Sequence, residues 1–142
     1  MPPWQIHVVD EDPVAALITQ RALQAMLGEA YHVLADPTPD TAWLACANNS
    51  VDLLIVDPGP RASSTLALMR VVRSFRPGLP ILVLTAYDSP GLRARMRELG
   101  IERYFAKPLD LRDLLPTIAA TLSASTPKSP GGASLLTMSL SA

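Results

Sequence analysis

Short runs of consecutive hydrophobic residues alternate along the chain with longer stretches in which hydrophobic residues recur at intervals of about three to four. Each run ends in polar or turn-forming residues, a pattern typical of strands buried on both faces of a parallel sheet. The stretches between the runs have the spacing that places hydrophobic side chains on one face of a helix. Strands are therefore predicted at five places, residues 5–9, 31–35, 53–57, 80–84 and 102–106.

The predicted helices begin and end at capping residues. Asp12 followed by Pro13 is a start signal, because a carboxylate caps the first turn and proline suits the first helical position. Gly28 ends that helix, and Pro116 lies inside the last helical pattern, which predicts a kink or a late start there. The residues predicted to face the core are Val14, Leu17, Ile18, Ala22 and Ala25 in the first helix, Trp43 and Leu44 in the second, Leu68, Val71, Val72 and Phe75 in the third, Leu92, Met96 and Leu99 in the fourth, and Leu111, Leu114, Leu115, Ile118 and Leu122 in the last.

This regular alternation of strands and helices predicts an α/β fold. Right-handed crossovers place helices on both faces of a parallel sheet when the winding direction changes. We expect a doubly wound, five-stranded, flavodoxin-like (βα)5 sheet with strand order 2-1-3-4-5. It would occupy residues 1–122, because the composition changes at Ser123 and predicts a flexible Ser/Pro/Gly-rich tail or linker over 123–142.

The composition fits one globular domain. Of the 142 residues, 49% are hydrophobic and 18% are charged. This length and this share of hydrophobic residues are sufficient for a buried core. The net charge of -1 provides no basic surface for nucleic acid, and no hydrophobic run is as long as a membrane span. We therefore expect a cytoplasmic protein that binds neither nucleic acid nor membrane directly. Cys46 is the only cysteine, and its helical setting predicts a buried, unreactive thiol.

Polar residues lie where four of the predicted strands end, namely Asp10, Glu11, Asp57, Thr85 and Lys107. Because the carboxyl ends of parallel strands share one edge of a sheet, these side chains are expected to converge. The carboxylates would repel one another unless a divalent cation lay among them, and hard oxygen ligands suit magnesium. The ammonium and the hydroxyl would bind anionic oxygens. The set therefore indicates phosphoryl transfer, in which a carboxylate can act as the nucleophile.

The segments around these residues resemble the receiver domains of two-component response regulators. The resemblance rests on four motifs that occur in the family's order and at about its spacing, VVDEDP, LLIVDPGP, ILVLTAY and YFAKPLDL. Each motif alone is weak, whereas four in register are specific. The resemblance covers residues 5–122 and implies a signalling domain that assists its own phosphorylation and dephosphorylation, not a turnover enzyme.

The resemblance also implies a phosphoacceptor and a metal site. Asp57 would accept the phosphoryl group. Asp10 and Glu11 would hold Mg²⁺ together with Asp57, with Asp10 acting through a water molecule. Gly59, two residues after the acceptor, would offer its backbone carbonyl to the same ion.

Further positions match the family's phosphoryl-binding and switch residues. Lys107 would pair with the acceptor carboxylate and then with the phosphoryl group, and Thr85 would hydrogen-bond a phosphoryl oxygen beside the small Ala86. Tyr104 matches the aromatic residue that turns inward when the threonine moves, although a static, partly buried aromatic is an equally open interpretation. Pro108 matches a Lys-Pro step that is usually cis in the family.

The chain departs from the family pattern around the acceptor. Glu11 replaces the commoner aspartate, and Pro60 and Arg61 replace a large hydrophobic residue and a proline. Thr65 replaces the glycine that is usual eight positions after the acceptor. Slow hydrolysis of the phosphoryl group is expected, because Gly59 has no side chain to orient water and Tyr87 can block the attacking water.

The leading hypothesis is a receiver that takes a phosphoryl group from a sensor histidine kinase or a phosphotransfer protein and then changes a surface for an unidentified output partner. It would be a single-domain regulator or a receiver whose output domain lies elsewhere, and a homodimer is possible. The alternative is a degenerate receiver that acts as an interaction module without phosphorylation. A flavodoxin-like enzyme or nucleotide-binding protein is less consistent with a chain that lacks a glycine-rich phosphate loop.

Overall fold

The computed structural model describes residues 3–124, in which parallel strands form one sheet. The strands are β1 (Trp4–Asp10), β2 (Tyr31–Asp36), β3 (Leu53–Asp57), β4 (Ile81–Thr85) and β5 (Arg103–Ala106). The helices are α1 (Pro13–Leu27), α2 (Pro39–Ala47), α3 (Ser63–Phe75), α4 (Pro90–Glu98) and α5 (Leu115–Ala124). The spatial order β2-β1-β3-β4-β5 confirms the predicted doubly wound fold.

Hydrophobic side chains on the two faces of the sheet build two separate cores. On β3, Leu54 and Val56 point into the core that α2, α3 and α4 cover, whereas Leu53 and Ile55 point into the core that α1 and α5 cover. Side chains of a strand alternate between faces, so a strand covered on both faces must be hydrophobic throughout. This is why the central strands read as uninterrupted hydrophobic runs.

The predicted hydrophobic face of α1 is wrong. Val14 and Ile18 are each 65% exposed, and the buried residues are Ala16, Thr19 and Leu23. The Gln24 side chain explains this rotation, because it accepts from the backbone N–H of Val33 at 2.8 Å and donates to the carbonyl of Tyr31 at 2.8 Å. Both of these backbone groups belong to the edge strand β2, where backbone N–H and C=O groups need hydrogen-bond partners outside the sheet. The periodicity of hydrophobic residues contains no information about such hydrogen bonds.

The predicted hydrophobic faces of the other helices are confirmed for α4 and α5 and only in part for α2 and α3. The buried or partly buried faces of α4 and α5 are as expected, and Pro116 lies in the first turn of α5, which starts late after a 3-10 turn at Leu111–Leu114. In α2 and α3 the prediction is partly wrong, because Leu44, Val71 and Phe75 are exposed. None of the helices within residues 3–124 is long and hydrophobic enough to cross a membrane.

The predicted domain boundary falls inside α5. The helix continues to Ala124, so Ser123 is helical and its hydroxyl donates to the carbonyl of Ala119 at 2.7 Å. The rest of the predicted tail, residues 125–142, lies outside the described residues. The described residues therefore include two helical residues, Ser123 and Ala124, that the change in composition assigned to the tail.

Cys46 lies on the buried face of α2, as predicted. Its side chain is fully buried in the core beneath α2, α3 and α4. Burial, reinforced by the charge of Asp36, raises the pKa of the Cys46 thiol from its ordinary value of 9.0 to about 11. The thiol is therefore protonated and inaccessible at neutral pH.

At pH 8, Cys46 is expected to react with an aromatic disulfide reagent at least about a hundredfold more slowly in the native protein than in the denaturant-unfolded chain, because burial also blocks the reagent. A rise of two units in pKa lowers the thiolate fraction by about that factor. Because folding raises this pKa, the stability it contributes is complete below pH 9 and is lost as the pH rises to about 11. The amino acid cysteine, measured in the native and the denaturing buffer, is the control for the reagent. Equal reaction rates of Cys46 in the native and the unfolded protein would contradict the burial.

Candidate functional site

The carboxyl edge of the sheet brings together four of the predicted polar residues. Asp10 and Asp57 are register partners at the ends of β1 and β3, and they are only 8% and 6% exposed. Thr85 ends β4 and is fully buried, and Lys107 follows β5 directly. The predicted convergence at one edge is confirmed for these side chains.

Lys107 forms an ion pair with the predicted acceptor. Its ammonium donates a hydrogen bond to a carboxylate oxygen of Asp57. Its backbone N–H donates to the carbonyl of Thr85 at 2.7 Å, which ties the start of the following loop to the end of β4. The Lys107–Pro108 peptide bond is cis, as the resemblance implied. The lysine is thus positioned by its backbone as well as by its charge.

The environment of Asp57 disfavours its charged form. Burial raises the pKa of Asp57 to about 6, the hydrogen bond from Lys107 lowers it, and the neighbouring charge of Asp10 raises it again. Burial together with like-charge repulsion therefore outweighs the single ammonium. Additional positive charge at this edge would stabilise the carboxylate form of Asp57.

Asp10 is oriented toward Asp57 by its own loop. One of its carboxylate oxygens accepts from the backbone N–H of Asp12 at 2.8 Å. Asp12 in turn caps α1 by accepting from the backbone N–H of Val14 at 3.0 Å, which confirms its predicted role as a helix cap. Of the two aspartates in this acidic run, Asp10 thus lies at the site and Asp12 at the terminus of α1.

Glu11 lies over the loop after β3 and contacts α3. One carboxylate oxygen accepts from the Ser64 hydroxyl at 2.8 Å and from the Thr65 hydroxyl at 3.3 Å. The same oxygen accepts from the backbone N–H of Thr65 at 3.4 Å. The side chain crosses directly over Gly59, whose missing β-carbon leaves it room. No pattern in the sequence indicates this contact.

The donor atoms fit the predicted magnesium site in chemistry but only partly in placement. Asp10 and Asp57 offer hard carboxylate oxygens, and a divalent cation would relieve the repulsion between them. Glu11, the third predicted carboxylate, is turned toward α3. Across residues 3–124 there is no group of three or more His, Cys, Asp or Glu side chains arranged to hold a metal ion.

Thr85 is oriented for hydrogen bonding at the same edge. Its side-chain oxygen accepts from the backbone N–H of Tyr87 at 2.9 Å. A hydroxyl group can accept one hydrogen bond and donate another, so this contact fixes the oxygen and leaves the proton for an acceptor. Ala86 follows as an exposed residue in the turn between β4 and α4. Its small side chain leaves more room next to Thr85 than a larger side chain would.

Tyr104 is partly buried against the core beneath α2, α3 and α4, and its hydroxyl group and ring contact the exposed pair Asp88 and Arg93. Its hydroxyl donates to Asp88 at 2.8 Å, and Arg93 donates to both oxygens of the same carboxylate at 2.8 and 2.9 Å. The guanidinium carbon of Arg93 lies 4.8 Å from the centre of the tyrosine ring, within cation–π range. These three residues, Asp88, Arg93 and Tyr104, form a cluster that we term the tyrosine latch.

Replacing Asp88 with asparagine is expected to lower the pKa of Tyr104. Burial first, and then the hydrogen bond and charge of Asp88, raise this pKa from 10.0 to about 12. Removing the negative charge makes ionisation of the phenol easier, so the pKa should fall part of the way toward 10.0. Absorbance of the phenolate as a function of pH measures the change, and the Tyr104→Phe variant identifies its signal.

The matched control for this substitution is Asp113→Asn, which removes an exposed carboxylate from the 3-10 turn. It should leave the ionisation of Tyr104 unchanged. An Asp88→Asn protein with the same tyrosine ionisation curve as the parent protein would show that the latch does not form in solution.

The fold and this edge together define a receiver-type signalling domain, with a buried acidic pair, a paired lysine and a buried hydroxyl at the carboxyl ends of the strands. The sequence model described as the response regulator receiver domain matches residues 6–119. The chain belongs to this family of two-component signalling domains.

Relatives and solved structures agree with this assignment. The chain is 33% identical over 125 residues to the response regulator MprA of Mycobacterium sp. (strain KMS), covering 88% of this chain and 53% of that protein. It is 27% identical to the DNA-binding transcriptional regulator NtrC of Bradyrhizobium sp. (strain RP501 Parasponia), covering 87% of this chain and 25% of that protein. The chain thus spans between about a quarter and about half of these relatives.

One solved structure of a similar protein contains a phosphorylated aspartate and a calcium ion. A response regulator from Burkholderia pseudomallei, described with a phosphorylated aspartic acid, a calcium ion and citrate, is 26% identical to this chain. It superposes with a TM-score of 0.67, covering 79% of this chain and 64% of that chain. A phosphorylated aspartate and a divalent cation are therefore compatible with this fold.

Proposed function

We propose that this chain accepts a phosphoryl group on Asp57 from a sensor histidine kinase or a phosphotransfer protein. The observation that carries the proposal is the buried Asp57 carboxylate, which lies beside Asp10 and is paired with the ammonium of Lys107. Such a carboxylate is desolvated and oriented, which suits a nucleophile whose product is stabilised by neighbouring positive charge.

In the proposed reaction an Asp57 carboxylate oxygen attacks the phosphorus atom, and the bond from phosphorus to the donor's histidine nitrogen breaks. The imidazole leaves with that electron pair and is neutralised by a proton from solvent. Lys107 moves its hydrogen bond to a phosphoryl oxygen, and Thr85 donates its free hydroxyl proton to another. Mg²⁺, when held by Asp10, Asp57, the Gly59 carbonyl and, as predicted, Glu11, supplies neutralisation of the phosphoryl charge.

The proposed output is a change of surface at α4, β5 and α5. Thr85 and Ala86 begin the loop that leads to Asp88, and Asp88 accepts a hydrogen bond from the Tyr104 hydroxyl in the latch. A shift of the Thr85 loop toward a phosphoryl group would therefore disturb the latch, and Tyr104 would act as a switch residue. An output partner, a homodimer contact or a separate output domain would read this surface, and we place the protein in the cytoplasm without direct contact to nucleic acid or membrane.

Treatment with acetyl phosphate or phosphoramidate, with Mg²⁺ or with excess chelator, tests the proposal. Intact mass spectrometry should show one labile phosphoryl adduct that forms with Mg²⁺ and is lost with the chelator. A protein that remains unmodified with both donors at high Mg²⁺ would favour the second candidate, an interaction module that acts without phosphorylation. The observation in favour of that candidate is the hydrogen bonding of Glu11 to Ser64 and Thr65 of α3.

Once formed, the adduct is expected to persist for minutes or longer. Gly59 has no side chain to orient water, Glu11 covers it, and the half-exposed ring of Tyr87 lies in the loop after Thr85. Decay of the adduct mass after donor removal measures the half-life. Tyr87→Ala should shorten it, whereas Phe75→Ala, which removes an exposed ring far from this loop, should not. A half-life of seconds in the parent protein would contradict the expectation.

A further inference from the structure

Two departures from the family pattern, Glu11 and Thr65, meet in one cluster together with Gly59. Glu11 lies far from the other two in the sequence, yet its side chain crosses Gly59 and ends at the hydroxyls of Ser64 and Thr65. These four residues, Glu11, Gly59, Ser64 and Thr65, form what we term the Glu11 cluster. It joins the loop after β1, the loop after β3 and the first turn of α3.

Gly59 is needed because of the Glu11 side chain. A β-carbon added at this position would lie 2.8 Å from Oε1 and 3.1 Å from both Cβ and Cγ of Glu11. The two described glycines with positive φ are Gly28 and Gly100, so backbone conformation does not explain the glycine at position 59. The Glu11 side chain therefore occupies the space that a side chain at position 59 would need.

The first turn of α3 provides the attraction for Glu11. Ala62 occupies the N-cap position in a left-handed conformation with φ of 57°, and it supplies no side-chain cap. Glu11 takes over this role from another element by accepting from the backbone N–H of Thr65 and from two hydroxyls. A carboxylate is also favoured near the positive end of the helix dipole.

We propose that Ser64 and Thr65 compete with the metal ion for the Glu11 carboxylate, so that the first turn of α3 sets the affinity of the acidic edge for Mg²⁺. This inference rests on the proposed function, because it concerns the same metal site. All three contacts to α3 use one oxygen of Glu11, Oε2, so a metal ion that drew this side chain toward Asp10 and Asp57 would compete with α3 for it. Metal binding and capping of α3 are then linked reciprocally, so each weakens the other by the same factor.

The double variant Ser64→Ala/Thr65→Val removes the hydroxyl groups that hold Glu11. It is expected to bind Mg²⁺ about tenfold more tightly than the parent protein in calorimetric binding isotherms, since a hydrogen bond to a charged group contributes about that factor. Ser63→Ala is the matched control, because it changes the same turn and leaves both hydroxyls in place. Its affinity should equal that of the parent protein.

A second test does not depend on the folding of the double variant. Saturating Mg²⁺ should shift the backbone amide resonance of Thr65, because Glu11 leaves it, and the Glu11→Gln variant should lose most of that shift. Equal Mg²⁺ affinity of the double variant and the parent protein, or an unmoved Thr65 amide at saturation, would overturn the inference.

The outcomes also separate this inference from the proposed function. Equal affinities in a protein that still forms the Asp57 adduct would overturn only the competition by α3. Absence of both Mg²⁺ binding and adduct formation in every variant would overturn the competition and the proposed function together.

Discussion

Replacing Asp57 with asparagine is expected to eliminate the phosphoryl adduct completely. An amide has nearly the shape of the carboxylate but no anionic oxygen to attack phosphorus, and Asp57 is the carboxylate that is both buried and bonded to Lys107. Intact mass spectrometry after phosphoramidate treatment with Mg²⁺ measures the adduct. The parent protein should carry one phosphoryl group and the variant none.

Asp12→Asn is the control for this experiment. Asp12 lies close in sequence to the acidic residues but caps α1, and asparagine caps a helix about as well as aspartate. This variant should form the adduct at the parental rate. An Asp57→Asn protein that still gains a phosphoryl group would move the acceptor to another residue and end the proposed mechanism.

Replacing Lys107 with methionine is expected to slow phosphorylation by roughly a hundredfold to a thousandfold, the loss typical of removing one charge-stabilising donor from an active site. The buried Asp57 carboxylate loses the group that lowers its pKa, so the pKa should rise above about 6. More of the acceptor is then protonated at neutral pH, and the rate in the variant should increase with pH through this raised pKa. Quenched time courses of adduct formation at several pH values measure both the loss of rate and its dependence on pH.

Lys107→Arg separates charge from geometry. Arginine keeps the positive charge and the pairing with Asp57, so its rate should lie between those of the parent protein and the methionine variant. Equal rates for parent and methionine variants across the pH range would show that the ion pair seen in the structure does not take part in the reaction.

The strands and the meeting of the site residues could be predicted from the sequence because both follow from one property. A parallel sheet covered on both faces requires hydrophobic runs, and it places all its carboxyl ends at one edge. Asp57, Thr85 and Lys107 therefore converge whatever the details of the loops. Their identification needed only the strand assignments and the chemistry of the residues that follow them.

The rotation of helices was less predictable. Hydrophobic residues occupy several sides of α1, so the periodicity allowed a face containing Val14 and Ile18 that the structure exposes. The deciding interaction is polar and comes from the bonds of Gln24 to β2. Without knowing that β2 is an edge strand next to α1, a glutamine in a helix carries no such information.

The long-range side-chain contacts around the site could not be predicted at all. Glu11 reaches a hydroxyl 53 residues away, and Tyr104 bonds to Asp88 16 residues earlier in the chain. Both depend on side-chain rotamers and loop paths that no local pattern specifies. The unusual Thr65 was visible in the sequence, but the structure is needed to show that it and Gly59 belong to the same contact as Glu11.

Reduction of the phosphorylated protein with borohydride, followed by peptide mapping, tests the central claim most directly. Borohydride converts an acyl phosphate into the corresponding alcohol, so an aspartyl phosphate is marked permanently as homoserine. We predict homoserine at position 57 alone, in a yield equal to the adduct measured on the intact protein. Homoserine at position 10, or a phosphoryl group that resists reduction on a serine or threonine, would contradict the account.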